Sequence, residues 1–159
     1  MDSLFITGLI WSLAACSGLL AGIYLAFSSF MLRAFSTLGA DAAAAVMNAV
    51  NVTILRSPFM PLFFGSTLIA AALVITSLWH WGTAGAAYAL AAGLIYLVGM
   101  FGVTAIYNVP LNNSLARSED EAEAGLSWDE YVERWRRWNN IRTAASIATL
   151  LICIEFLAR

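Results

Sequence analysis

The chain has 159 residues, of which 61% are hydrophobic and only 11% are charged, and its formal net charge is −2. Soluble domains are about half apolar and about a quarter charged, and a chain of this length cannot bury so large an apolar excess in a core of its own. The composition therefore predicts an integral membrane protein. The absence of a positive excess argues against a nucleic-acid partner.

Four apolar segments predict the spanning helices of a single membrane domain, residues 1–159. Each is long enough, at about 1.5 Å per residue, for a hydrocarbon layer of about 30 Å. The first has no basic residues before it and is longer than the apolar part of a signal peptide, so we expect an uncleaved helix. The predicted fold is an all-α four-helix bundle in the membrane. The spans lie at about 4–32, 58–79, 84–107 and 138–157.

Two further segments have amphipathic patterns. Residues 41–56, between the first and second spans, place apolar side chains on one helical face, which predicts a short helix that lies at the membrane interface or folds back into the protein. Residues 128–141 predict an amphipathic extension of the last helix, and the acidic run at 119–123 predicts a solvated loop.

The arginines predict the orientation in the membrane. Seven of the eight fall in the two long connections, and only Arg159 lies at the other end. By the positive-inside rule, both long connections are cytoplasmic and both termini lie outside. The seven are Arg33, Arg56, Arg117, Arg134, Arg136, Arg137 and Arg142.

The last helix carries an aromatic stripe that ends in a basic residue. The side chains of this stripe recur at spacings of three and four residues, which places them on one helical face. They are Trp128, Tyr131, Trp135, Trp138 and Arg142, with Asn139 at the edge of the stripe. An arginine this close to the hydrocarbon needs polar partners. The alternative is that Arg142 extends to the lipid headgroups.

The segment Asn108-Val-Pro-Leu-Asn-Asn113 follows the third apolar run. Pro110 has no backbone N–H, so it leaves one carbonyl of the preceding turn free. We expect this carbonyl and the neighbouring asparagines to surround Arg142. The alternative is that Pro110 ends the helix and the asparagines cap it.

Several of these segments together resemble the DUF1772 or anthrone oxygenase-like family of small membrane proteins, over nearly the whole chain. The most specific are Asn108-Val-Pro-Leu-Asn112 and Trp135-x-x-Trp-Asn-x-x-Arg142-Thr. The others are residues 22–31, Asn51-Val52 and Pro58-Phe-Met60. Many relatives carry histidine where this chain has Asn140, a position that the helical pattern places on the solvated side.

The resemblance implies an oxygenase that converts an anthrone, or another flat polycyclic or quinone-type substrate, with O₂ and without an organic cofactor. Arg142 is then expected to stabilise an enolate, with Asn108, Asn112 and Asn139 as further catalytic groups. The expected substrate-binding residues are Trp135, Trp138, Tyr131, Asn113, Asn51 and Ser28. The possible bases at this end are Tyr24, Tyr107 and Tyr131, and no ligand set for a catalytic metal is present.

Two other functions stay open. A non-catalytic membrane protein would use the same polar groups to hold a lipid or quinone, or would serve as an accessory subunit of a larger complex. A transporter is disfavoured, because the first three predicted spans contain no acidic or basic residue. The expected partners are membrane lipid, a hydrophobic small molecule and, through the small residues Gly18 and Gly22, a second copy of the chain. The expected location is a bacterial inner membrane.

Overall fold

The computed structural model describes residues 3–120 and 126–159, with side chains for 4–117 and 126–159. It has five helices, and no strand occurs within these residues. Four helices are long and apolar enough to span a membrane, which confirms the predicted all-α membrane bundle with a short additional helix between the first two spans. The helices are α1 (Leu4–Ser36), α2 (Ala40–Ile54), α3 (Phe59–Trp79), α4 (Ala86–Arg117) and α5 (Trp128–Leu157).

The four long helices pack in a ring. Helix α5 lies against α1 and α4, and α3 lies against α4 and α1. Their inward faces form a core that includes Leu13, Leu73 and Tyr96. Large apolar side chains such as Leu68 and Leu151 are exposed on the outside, as expected for surfaces that face lipid. The chain is therefore an integral membrane protein.

A glycine allows helices α3 and α4 to approach closely. A Cβ atom added at Gly93 of α4 would lie 2.7 Å from the Cγ2 atom of Val74 and 2.8 Å from the carbonyl oxygen of Ala70, both on α3. The helices can approach this closely only because Gly93 lacks a side chain. A Cβ atom at Gly22 would meet nothing within 4 Å, so this part of the predicted small-residue strip does not pack inside the bundle.

Helix α4 continues past Asn108 and Pro110 to Arg117, whereas the predicted third span ends at about residue 107. A π-helical segment, Thr104–Asn108, ends two residues before Pro110, and the carbonyl of Thr104 accepts from the N–H of Val109. The wider turn shifts the hydrogen-bond pairing by one residue and gives room to the proline ring. The proline is thereby accommodated within the helix.

Helix α2 covers one end of the bundle. It begins after Gly39, whose φ of 87° suits glycine, and its buried residues Ala43 and Met47 pack with Tyr131 and Trp135 of α5. Helix α5 begins at a capping box formed by Ser127 and Glu130. The predicted acidic loop at 119–123 lies outside the residues whose side chains are described.

Candidate functional site

A cavity of about 510 Å³ lies at the end of the bundle that α2 covers, and all five helices contribute to its wall. Its size lies within the range of roughly 300–1,000 Å³ that is usual for small-molecule sites. Most of the wall is apolar and aromatic. Its polar side chains are Tyr24, Asn51, Thr104, Asn112, Asn113 and Arg142.

The guanidinium of Arg142 is buried, and its contacts are with neutral groups. Its Nη2 atom donates to Asn139 Oδ1 at 2.6 Å, and its Nη1 atom donates to Thr104 Oγ1 at 3.3 Å. Its carbon Cζ lies 4.3 Å from the ring centroid of Tyr24 and 5.3 Å from that of Trp135. An amide, a hydroxyl and two aromatic faces thus surround the cation.

No carboxylate compensates this charge in the part of the chain that the structure describes. Among the described residues, the ion pair found is between Arg159 and Glu155, at the opposite end of α5. A guanidinium has five N–H donors, and within the described residues those of Arg142 make two hydrogen bonds, with Nε unpartnered. A buried cation without a counter-ion is costly, so this wall is suited to a ligand with an anionic or strongly accepting oxygen.

The orientation of Asn139 is fixed by helix α1. Its Nδ2 atom donates to the carbonyl oxygen of Tyr24 and to Ser28 Oγ, both at 2.7 Å. Because the Tyr24 carbonyl can only accept, it requires the NH₂ group, and the amide oxygen therefore faces Arg142. A π-helical segment, Phe27–Met31, interrupts α1 at this position. A side chain that contacts the backbone in this way is a recognised cause of such irregularities.

Asn112 holds the aromatic wall in place. Its Oδ1 atom accepts from Trp135 Nε1 at 2.8 Å and from the Tyr131 hydroxyl at 2.9 Å, and its Nδ2 atom donates to Asn51 Oδ1 at 3.0 Å. The Nδ2 atom of Asn51 has no hydrogen-bond partner among the described residues. Asn112 therefore acts on Arg142 through Trp135 and does not contact it directly, which differs from the prediction.

The ten sequence-predicted site residues fall into three groups. Half of them line the cavity, namely Arg142, Asn112, Asn113, Asn51 and Trp135. Four stand outside the lining and contribute elsewhere to the bundle: Asn139, Ser28, Tyr131 and Asn108, whose Nδ2 atom donates to the carbonyl of Trp135 at 3.3 Å. The tenth, Trp138, stacks on Tyr107 with ring centroids 3.5 Å apart, and neither ring lines the cavity.

Trp138 does not face the cavity because the next buried residue of α5 after Trp135 is Asn139, four residues later, and Asn139 is fully buried. The predicted stripe instead continued from Trp135 to Trp138, three residues later. On a helix of 3.6 residues per turn, both steps are compatible with one face. The identity of the buried residue is therefore set by packing against α1.

Several wall residues are not among the predicted site residues. Thr104 lines the cavity from the π-helical segment Thr104–Asn108, where the α-helical spacing of three and four residues does not identify it. The ring of Phe63 stacks on Phe59 at 5.8 Å and lies 5.6 Å from Phe101. These rings come from α3 and α4, and their convergence with Trp135 depends on tertiary packing.

The tyrosines do not present a free hydroxyl to the cavity. Tyr24 donates to the sulfur of Met100 at 3.4 Å, and Tyr131 donates to Asn112. Among the described residues, no group of three or more His, Cys, Asp or Glu side chains could hold a metal. The described wall therefore offers a cation, hydrogen-bond donors and aromatic faces, without a carboxylate or imidazole.

Comparison with known families identifies the protein's relatives. The family model for anthrone oxygenase matches residues 59–152, which is more than half of the chain. The chain belongs to the anthrone oxygenase family. Neither the curated proteins nor the solved structures give a significant match.

The region that matches the anthrone oxygenase family contains some of the site residues and leaves out others. Arg142, Asn139, Asn112 and Trp135 lie inside the matched region, whereas α1 and α2 precede it. The cation, its amide partner and one aromatic face thus belong to the part of the chain that defines membership of the anthrone oxygenase family. The face of Tyr24 comes from α1, outside that region.

Proposed function

We propose that this protein is a cofactor-independent oxygenase that oxidises an anthrone-like substrate with O₂. The observation that carries the proposal is the buried, uncompensated guanidinium of Arg142 in the wall of an aromatic cavity. Membership of the anthrone oxygenase family supports the reaction class. Trp135 and the phenylalanine rings supply faces against which a flat polycycle can stack.

The first step is loss of a proton from the methylene carbon opposite the substrate carbonyl. The C–H electron pair passes into the ring system, and negative charge develops on the carbonyl oxygen. Arg142, with its unused N–H donors, stabilises this enolate in a site from which water is largely excluded. The proton passes to water at the edge of the cavity where Asn113 is exposed, since the described wall holds no carboxylate or imidazole.

The second step consumes O₂. The enolate gives one electron to O₂, and the two radicals combine to form a C–O bond, which yields a hydroperoxide after protonation. Loss of the remaining C–H proton then breaks the O–O bond, forms the new C=O group and releases hydroxide, which takes up a proton. One anthrone and one O₂ thus give one anthraquinone and one water.

The test uses purified protein in lipid nanodiscs with anthrone, and O₂ uptake and anthraquinone formation are corrected for the spontaneous reaction. With ¹⁸O₂, we expect one labelled oxygen in each quinone. Arg142→Gln should lower kcat by about 10²–10³-fold, the usual cost of losing a donor to an oxyanion. Arg137→Gln, an exposed position on the same helix, is the control. Equal turnover with and without protein would refute the proposal.

A second candidate is a protein that holds a quinone or lipid without turning it over. The observation that favours it is the lack of a carboxylate or imidazole in the described cavity wall. Such a protein binds anthraquinone through Arg142 and does not accelerate O₂ uptake. The same assay, combined with a binding measurement, therefore separates the two functions.

We also propose that the cavity end faces the cytoplasm of a bacterial inner membrane, with both termini on the outer side. The support is the positive-inside rule, because six exposed arginines lie at this end. They are Arg33, Arg56, Arg117, Arg134, Arg136 and Arg137. A membrane-impermeant thiol reagent should label Thr83→Cys from outside and should not label Thr37→Cys. The reverse pattern would overturn the orientation.

A further inference from the structure

We infer that the cavity opens sideways into the bilayer and takes an amphiphile whose flat polar end reaches Arg142 while an apolar chain remains in the lipid. The inference rests on the proposed function in one respect, since it treats the cavity as the substrate site. Beyond that function, it proposes that the substrate enters from the bilayer and that the substrate is an amphiphile.

The cavity wall extends from a buried interior to the outer surface of the bundle. Arg142 is only 5% exposed, whereas Phe64 and Val109, which line the same cavity, are 51% and 44% exposed. Phe64 belongs to α3 and Val109 to α4, both long and apolar enough to span a membrane, and we place their exposed surfaces against lipid. Leu55, which follows α2 and is 63% exposed, completes this edge. We call Leu55, Phe64 and Val109 the portal.

The portal lies between two helices that touch elsewhere. At Gly93, helix α4 lies directly against Ala70 and Val74 of α3. Toward the α2 end both helices line the cavity, α3 with Phe64 and α4 with Ala105. This part of α4 is the π-helical segment Thr104–Asn108. The opening is therefore built into the irregular region of α4.

Polarity changes along the cavity from the portal to its interior. The three portal side chains are apolar and form no side-chain hydrogen bonds. Behind them lie Arg142, Thr104 and the Asn112–Asn51 pair. Asn113, one turn beyond Val109, is exposed and lines the cavity at its edge nearest the cytoplasmic loops. A ligand with one flat polar end and one apolar end matches this order, and its chain can leave through the portal without losing contact with apolar surroundings.

The first test varies the length of the chain. Anthraquinones with butyl, octyl and dodecyl chains compete with a radiolabelled octyl compound for wild-type protein in nanodiscs, and Kd is referred to the probe concentration in the bilayer. We expect Kd to be independent of chain length, because the added carbons lie in lipid. A cavity closed to lipid must hold the whole chain within about 510 Å³, so affinity that falls steadily with chain length would overturn the inference.

The second test obstructs the portal. Val109→Trp should slow association of the octyl compound by roughly tenfold or more, because binding then requires the indole to move aside. Val98→Trp is the matched control, since Val98 lies on the same helix, is 69% exposed and does not line the cavity. Equal association rates for the two variants would overturn the portal.

These measurements are independent of catalysis, because the probes are already oxidised and need no turnover. If the protein binds the whole series with equal affinity but does not oxidise anthrone, the portal is supported and the proposed function is refuted. If the protein oxidises anthrone but does not bind the compounds with longer chains, the proposed function is supported and the portal is refuted.

Discussion

The Oδ1 atom of Asn139 lies 2.6 Å from Nη2 of Arg142, three residues further along the same helix. The NH₂ group of the same amide is held by the Tyr24 carbonyl and Ser28 Oγ of another helix. Because the partner of the cation is a neutral amide, the positive charge is positioned without being cancelled. We therefore expect the charge of Arg142 to matter for ligand binding and not for the stability of the fold.

Arg142→Met should remove activity without weakening the fold. The substitution keeps an unbranched side chain in the space and removes a buried charge whose desolvation costs several kcal/mol. We expect the Tm in detergent to stay the same or rise, while anthrone oxidation falls by about 10²–10³-fold. Both are measured beside Arg137→Met. A large drop in Tm confined to the Arg142 variant would show that the cation stabilises the fold.

The pH dependence of the reaction should depend on Arg142. A nearby cation favours the anionic form of a bound anthrone and so lowers the pKa of its methylene group. The protein-catalysed rate should therefore reach its plateau at a lower pH than the spontaneous oxidation. In Arg142→Gln the plateau should move up by about two to three pH units, the equivalent of about 2.7–4 kcal/mol. Superimposable pH profiles for the two proteins would exclude this role.

The placement of Trp135 and Arg142 on one face of α5 could be predicted from the sequence, because helical spacing acts locally. The direct contact expected between Asn112 and Arg142 is not formed, since Asn112 bonds to Trp135. The turn that accommodates Pro110 could not be predicted. Whether a proline ends a helix or lies within it depends on the pairing of the preceding turn, and that turn is π-helical here. The choice between Trp138 and Asn139 as the inward residue also depended on α1, which lies more than a hundred positions earlier in the chain.

Asn112→Leu should destabilise the protein by at least about 2 kcal/mol. The substitution leaves the Trp135 N–H, the Tyr131 hydroxyl and Asn51 Oδ1 without their partner, and each buried group left unpaired costs about 1–3 kcal/mol. The measurement is thermal unfolding in detergent. Asn113→Leu changes the exposed neighbour on the same helix and should have little effect. Similar losses in the two variants would mean that the amide of Asn112 does not hold the wall.

Tyr24 should act through its ring and not through its hydroxyl. The ring face lies 4.3 Å from the guanidinium carbon of Arg142, while the hydroxyl donates to the sulfur of Met100. Tyr24→Phe keeps the face, so most of the activity should remain. Tyr24→Leu removes the face, and a desolvated cation–π contact is worth about 2 kcal/mol, which corresponds to roughly thirtyfold in kcat/KM.

The two Tyr24 variants are compared by O₂ uptake with anthrone, with circular dichroism to verify folding. Since Phe and Leu both lack the hydroxyl, any difference between them reports on the aromatic face. Equal and nearly complete loss of activity in both variants would identify Tyr24 as the general base, and the proton would then leave through the tyrosine hydroxyl and not to water at the edge of the cavity.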